Sequence, residues 1–141
     1  MRTFVVGEDE EAWVELNAAA FVDHPEQGRM TVEDLRQRQA EAWFDPTLLW
    51  LAHEPGRPDE LLASMWVKPA GDDAEIYALG VAPHAQGRGL GGRLTAVALG
   101  EMERRGFHRA TLYVEGENTP AIRTYRRAGF DRIALDVQYA R

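Results

Sequence analysis

The chain has 141 residues, enough for one compact domain with its own core and too few for two ordinary ones. Hydrophobic residues make up 45% and charged residues 28%, the balance of a soluble globular protein, and 16 Lys+Arg against 23 Asp+Glu leave a net charge of −7, which opposes a nucleic-acid partner. No cysteine is present, which excludes disulfides, thiolate nucleophiles and Cys-ligated metals, and no apolar run approaches the roughly 20 residues that span a bilayer. The start, Met1 to Gly7, lacks the hydrophobic stretch of a signal peptide. The expectation is one cytoplasmic domain over residues 1–141, bound neither to membrane nor to nucleic acid.

Thr3 to Val6 is β-branched and aromatic and ends at Gly7, which predicts a strand; the acidic run Glu8 to Glu11 then suits the positive end of a helix. In that helix Trp13, Leu16, Ala20 and Phe21 form an apolar stripe, which Pro25 and Gly28 end. Thr31 followed by Asp34 reads as a capping box, and Leu35, Ala42 and Trp43 carry a second helix to Asp45-Pro46. Leu48–His53, Leu61–Val67 and Glu75–Val81 are short apolar runs that predict three strands, antiparallel neighbours joined by loops at Glu54–Glu60 and Pro69–Ala74. A glycine-rich loop, Ala82 to Gly92, leads into a helix on Leu94, Val97, Ala98 and Met102 that Arg104, Arg105 and Gly106 close. Arg109–Val114 predicts a strand, Asn118-Thr119-Pro120 opens a helix that Gly129 ends, and Ile133–Tyr139 is the last strand. The class is α+β (mixed α/β) with a mixed sheet, in the order β-α-α-β-β-β-α-β-α-β.

Gln86-Gly87-Arg88-Gly89-Leu90-Gly91-Gly92 lies between a strand and a helix, where uncapped N–H groups and the helix dipole converge on an anion. Small residues there let a phosphate touch backbone amides. The bland alternative is a flexible connection. Gly87, Gly89 and Gly92 also satisfy G-x-G-x-x-G, with Glu115 near the acidic position of a dinucleotide site. Ala82 to Gln86 separate that glycine from its strand, however, and the strands before it read as a meander, so the dinucleotide reading fails on spacing. A nucleotide P-loop fails because no Lys-Ser or Lys-Thr pair follows the glycines.

Val81 with Gln86-Gly87-Arg88-Gly89-Leu90-Gly91 resembles the Q/R-x-x-G-x-G/A acetyl-CoA motif of GNAT N-acetyltransferases. The segment Asn118 to Phe130 resembles that family's N-x-x-A-x-x-x-Y-x-x-x-G-F block, and the element order resembles its fold over essentially the whole chain. His24-Pro25-Glu26-Gln27-Gly28, Trp43-Phe44-Asp45-Pro46, Glu75-Ile76-Tyr77 and Leu112-Tyr113-Val114-Glu115 resemble, more narrowly, the C-terminal half of the mycothiol synthases, which are built from two fused GNAT domains. The resemblance implies a GNAT-like acyl-CoA N-acyltransferase fold, a central, mostly antiparallel mixed sheet flanked by helices. It implies acetyl-CoA as co-substrate, no metal, and acetyl transfer by direct attack to a primary amine of a small molecule such as a cysteinyl amino-sugar. A CoA-binding module without turnover and an acetyltransferase of peptide or protein N-termini stand as alternatives. Nothing in the sequence selects between monomer and homodimer.

By that likeness Glu75 accepts the amine's proton, directly or through water; its bland alternative is an edge carboxylate beside Asp72 and Asp73. Strand alternation puts Glu75, Tyr77, Leu79 and Val81 on one face unless a bulge intervenes. The cofactor set the resemblance implies is Leu79, Val81, Gln86, Gly87, Arg88, Gly89, Leu90, Gly91, Gly92, Asn118 and Ala121, with the Val81 N–H on the thioester carbonyl and the loop amides on the pyrophosphate. Tyr125 is the candidate general acid, because a phenol with a pKa of about 10 is protonated at neutral pH and can donate to the departing sulfur. Asn118 and Tyr125 lie about two helical turns apart, so both can face one cofactor arm. A core aromatic and a helix-start residue are their alternatives. Trp13, Trp43, Trp50 and Trp66 read as core, with Trp43 and Trp66 available to an acceptor cleft. His24, His53, His84 and His108 share no metal-ligand spacing, and Lys68, the only lysine, reads as a loop-edge residue.

Overall fold

The computed structural model describes residues 1–22, 28–113, 131–132 and 138–140. In chain order the elements are β1 (Arg2–Thr3), α1 (Glu10–Ala20), α2 (Val32–Gln39), β2 (Leu49–Glu54), β3 (Arg57–Ala70), β4 (Asp73–Val81), α3 (Leu90–Arg104), β5 (Ala110–Tyr113), β6 (Asp131–Arg132) and β7 (Gln138–Ala140). The strands form one seven-stranded sheet in the order β1-β2-β3-β4-β5-β7-β6. Every pair is antiparallel except β4 with β5, which α3 joins as a parallel crossover. The α+β class and the element order therefore hold as far as the description extends. The expected helix from Asn118 and the turn His24–Gly28 lie outside the described residues, except Gly28.

The first strand is Arg2–Thr3 rather than Thr3–Val6, the Glu8 and Asp9 N–H groups donating to the Val5 carbonyl at 3.1 Å and turning the chain there. Three further boundaries differ from the sequence reading, each for a non-local reason. The expected loops at 54–60 and 69–74 are mostly strand, because pairing runs out to Glu54↔Arg57 and Ala70↔Asp73. Residues 57–60 are exposed, so polar side chains cost nothing there and composition hides the pairing. The second helix begins as expected, with Thr31 accepting from the Asp34 N–H at 3.1 Å and Asp34 accepting from the Thr31 N–H at 3.0 Å. It stops at Gln39, and Trp43 and Phe44 turn instead into an aromatic cluster around Trp66. In place of one last strand, β6 and β7 pair antiparallel, Arg132 opposite Tyr139, with 133–137 outside the described residues.

The core has two sides, and β3 separates them. Ser64, Trp66 and Lys68 face α1, whose Trp13 indole N–H donates to Ser64 Oγ at 2.9 Å and whose ring meets Trp66 edge-on at 5.4 Å. A Cβ on Gly80, the partner of Ser64, would lie 3.2 Å from Ala20 Cβ of α1. Ala63, Met65 and Val67 alternate to the opposite side and are fully buried, and α3 packs across β2, β3 and β4. Asp9, at the start of α1, accepts two hydrogen bonds from Arg2, at 2.7 and 2.8 Å, and one from the Val5 N–H at 2.7 Å. Arg2 also reaches the Pro58 carbonyl at 2.8 Å, so the first helix is tied both to the edge strand and to the β2–β3 hairpin.

Candidate functional site

The chain leaves β4 through one short 3-10 turn, Pro83–Ala85, and reaches an exposed loop from Gln86 to Gly89. Gly87 and Gly89 have φ of +86° and +77°, a backbone conformation that disfavours any side chain, and Arg88 stands between them. Gly89 is the N-cap of α3, and no side chain caps that helix. The first-turn amides of Leu90, Gly91 and Gly92 therefore point out of the helix end without a side-chain acceptor. A Cβ at Gly87, Gly89 or Gly92 would meet no atom within 4 Å, so open space lies beside the loop. Uncapped amides beside open space are what an anion meets at a helix N-terminus, and Gln86 to Gly92 all lie on this loop and the first turn of α3. The far end of α3 is fastened by Arg105, which donates to Asp45 at 2.9 Å, to Thr47 at 2.8 Å and to Glu101 at 2.8 Å. Hydrogen bonds from Arg104 and Arg105 hold the Glu101 carboxyl down to about 2.

β4 supplies the second feature. It pairs with β5 only from Ala74↔Ala110 to Ile76↔Leu112, whereas its pairing with β3 continues to Val81. Among the described residues, the β5 side of Tyr77–Val81 is thus an open main-chain edge. The Ala82 N–H donates to the Leu62 carbonyl on β3 at 2.8 Å. Amides alternate along extended chain, so the Val81 N–H points the other way, into that open edge.

A bulge corrects the face assignment along β4. Trp66 pairs with Ala78 but Val67 pairs with Ile76, which leaves Tyr77 as the extra residue. Partners across a sheet share a side, so Glu75 lies with Lys68, Trp66, Ala78 and Gly80 on the α1 face, and Leu79 and Val81 lie with Met65 and Ala63 on the other. Glu75 and Tyr77 stay together, but neither shares a face with Leu79 and Val81. Among the described residues Glu75 and the strand end that leads to the glycine loop are thus on opposite faces of β4.

Glu75 shares its face of the sheet with a cluster of aromatic rings. Tyr77 lies 5.0 Å from Trp66 and 5.2 Å from Trp43, and its hydroxyl accepts from Arg38 Nε of α2 at 3.0 Å. Trp66 is fully buried, and its indole N–H has no hydrogen-bond partner among the described residues. Lys68 is no loop-edge residue: it lies in β3 directly opposite Glu75, and its Nζ sits 5.0 Å above Trp43 and 5.7 Å from Tyr77. Sequence reasoning missed it, although its being the only lysine was a signal. Asn118, Ala121 and Tyr125 lie outside the described residues. A cleft of about 530 Å³ elsewhere, lined by Glu15, Leu16, Asp59, Glu60 and His84 among others, contains none of the selected residues. Among the described residues no group of three or more His, Cys, Asp or Glu could hold a metal, and no helix is long and apolar enough to cross a membrane.

Comparisons with known proteins fit this geometry. The chain is 56% identical over 141 residues to a mycothiol acetyltransferase of Beutenbergia cavernae, covering 99% of this chain and 47% of that protein. It is 49% identical to one of Cellulomonas flavigena, covering 99% of this chain and 42% of that protein. The chain thus spans about half the length of the curated relatives it matches. A crystal structure of a GCN5-related N-acetyltransferase from Sphaerobacter thermophilus superposes with a TM-score of 0.81 at 30% identity, over 99% of this chain and 43% of that one. The paia N-acetyltransferase of Thermoplasma acidophilum, solved in complex with coenzyme A, shares the fold at a TM-score of 0.77 and 18% identity, over 99% of this chain and 96% of that one. Residues 11–130, which include both motifs, match the acetyltransferase (GNAT) family, and it is to this family that the chain belongs.

Proposed function

We propose that this chain is a single cytoplasmic domain that transfers an acetyl group from acetyl-CoA to the primary amine of a small molecule, a cysteinyl amino-sugar being the acceptor its relatives' name favours. The observation that carries the reading is the uncapped glycine loop beside the open edge of β4. Main-chain amides of Arg88, Gly89, Gly91 and Gly92 would hold the diphosphate of CoA, and Gln86, Gly87 and Leu90 shape that turn. The Val81 N–H, aimed into the edge past Leu79, would receive the acyl carbonyl, whose oxygen gains charge on attack. Bound acetyl-CoA supplies the activated acetyl group as a thioester.

Glu75, on the acceptor side of β4, would take the proton of the incoming ammonium, giving a neutral nucleophile. The aromatic wall of Trp43, Trp66 and Tyr77 excludes water beside it. Tyr125 would donate to the departing sulfur, with Asn118 and Ala121 flanking the pantetheine arm. Titration calorimetry with acetyl-CoA, followed by thiol release over an amine panel that includes cysteinyl-glucosamine derivatives, tests the proposal. Micromolar binding with release dependent on a small amine is expected. Binding without release for any amine would mark a CoA-binding module, and release only with peptides would mark an N-terminal acetyltransferase; either overturns the assignment.

A further inference from the structure

We propose that Arg93 is a positioning residue for the cradle: its guanidinium holds the Arg88–Gly89 peptide so that the Gly89 N–H faces the anion. This rests on the reading of the loop as a diphosphate site. The glycines on either side of Arg88 make the turn possible but do not choose among its conformations, since glycine moves between them at little steric cost. Two contacts make the choice. The Arg88 side chain is drawn to the end of β2, where Nη1 donates to Glu54 Oε1 at 2.9 Å. The Arg88 carbonyl accepts from Arg93 Nη2 at 3.2 Å.

A trans peptide carries its C=O and the following N–H on opposite sides, so fixing the Arg88 carbonyl also fixes the Gly89 N–H. Arg93 lies in the first turn of α3, and its bond turns that carbonyl back along the helix. The Gly89 N–H then points away from the helix body, the direction in which the amides of Leu90, Gly91 and Gly92 also point. Arg88, with its guanidinium occupied at Glu54, contributes main chain to the cradle. Arg93 contributes no atom to it and acts through its neighbour.

The test compares wild type with Arg93→Met, which keeps an unbranched apolar stem and removes the donor, and Arg93→Lys, which keeps a donor. Calorimetry with CoA at several salt concentrations gives affinity, and amide exchange at Gly89, followed by NMR without ligand, reports the loop itself. Arg93→Met should weaken CoA by about 5–10-fold, accelerate Gly89 exchange, and leave the salt dependence of affinity as steep as in wild type, with Arg93→Lys intermediate. A flatter salt dependence would mean that Arg93 touches a phosphate directly, and unchanged affinity and exchange would mean a surface contact only; both overturn the proposal. Should wild type itself fail to bind CoA, the functional reading falls, whereas Gly89 exchange still decides the role of Arg93.

Discussion

The two sides of β4 are built from different material. On one side the glycine loop presents main-chain amides from a single contiguous stretch, Gln86 to Gly92, and its character lies in the absence of side chains. On the other side the wall around Glu75 is assembled from Arg38 of α2, Trp43 beyond it, Trp66 and Lys68 of β3 and Tyr77 of β4, and its character lies wholly in side chains. A main-chain site tolerates any flanking residue that keeps the backbone path, whereas a side-chain wall changes with each substitution. The difference suits a transferase in which one substrate is constant and the other sets specificity.

Substitutions at the chemistry give the largest effect. Glu75→Gln and Tyr125→Phe should each lower turnover by about 100-fold or more with CoA affinity within about twofold, measured by thiol release and calorimetry. Loss of affinity along with turnover would give the residue a structural role and blur the division between the two sides. Next, Gly89→Val should reduce CoA affinity by about 100-fold, because a β-branched residue at a φ of +77° must move the backbone and fill the approach. Unchanged binding would show that the loop is not the cradle.

Smaller effects sharpen the contrast by loosening the α1 face alone. Asp9 anchors α1; burial pushes its carboxyl up, but the hydrogen bonds from Arg2 and the Val5 N–H outweigh that and leave it below its ordinary value of 3.8. Its charged form is therefore favoured by folding, a contribution present above 3.8 and lost as the pH falls below that value. Asp9→Asn should cost about 1–2 kcal/mol in urea unfolding at pH 7, and the gap from wild type should narrow below pH 3.8. Smallest of all, Lys68→Met should change stability by less than about 1 kcal/mol, since a cation on a half-exposed aromatic pair is worth little. A larger loss would make Lys68 a keystone of the wall.

Legibility followed the same division. The glycine loop, the Thr31–Asp34 capping box and the three central strands could be read because each depends on residues close together in the chain. The wall around Glu75 is legible only in pieces: the sequence singles out Glu75, Trp43 and Trp66, yet it reads Lys68 as a loop-edge residue and places Trp43 in a helix that in fact ends at Gln39. No local pattern brings residues 38, 43, 66, 68 and 77 together.

What the amino-acid order determined by itself was the set of local conformations: where glycine permits a left-handed turn, where a threonine caps a helix, where apolar runs make strands. Only the tertiary structure decided the bulge at Tyr77, because a bulge is a mismatch of register between β4 and β3 and has no existence in either strand alone. That one extra residue turns Leu79 and Val81 away from Glu75, and so separates the face that carries the carboxylate from the face that carries the end of the strand before the glycine loop.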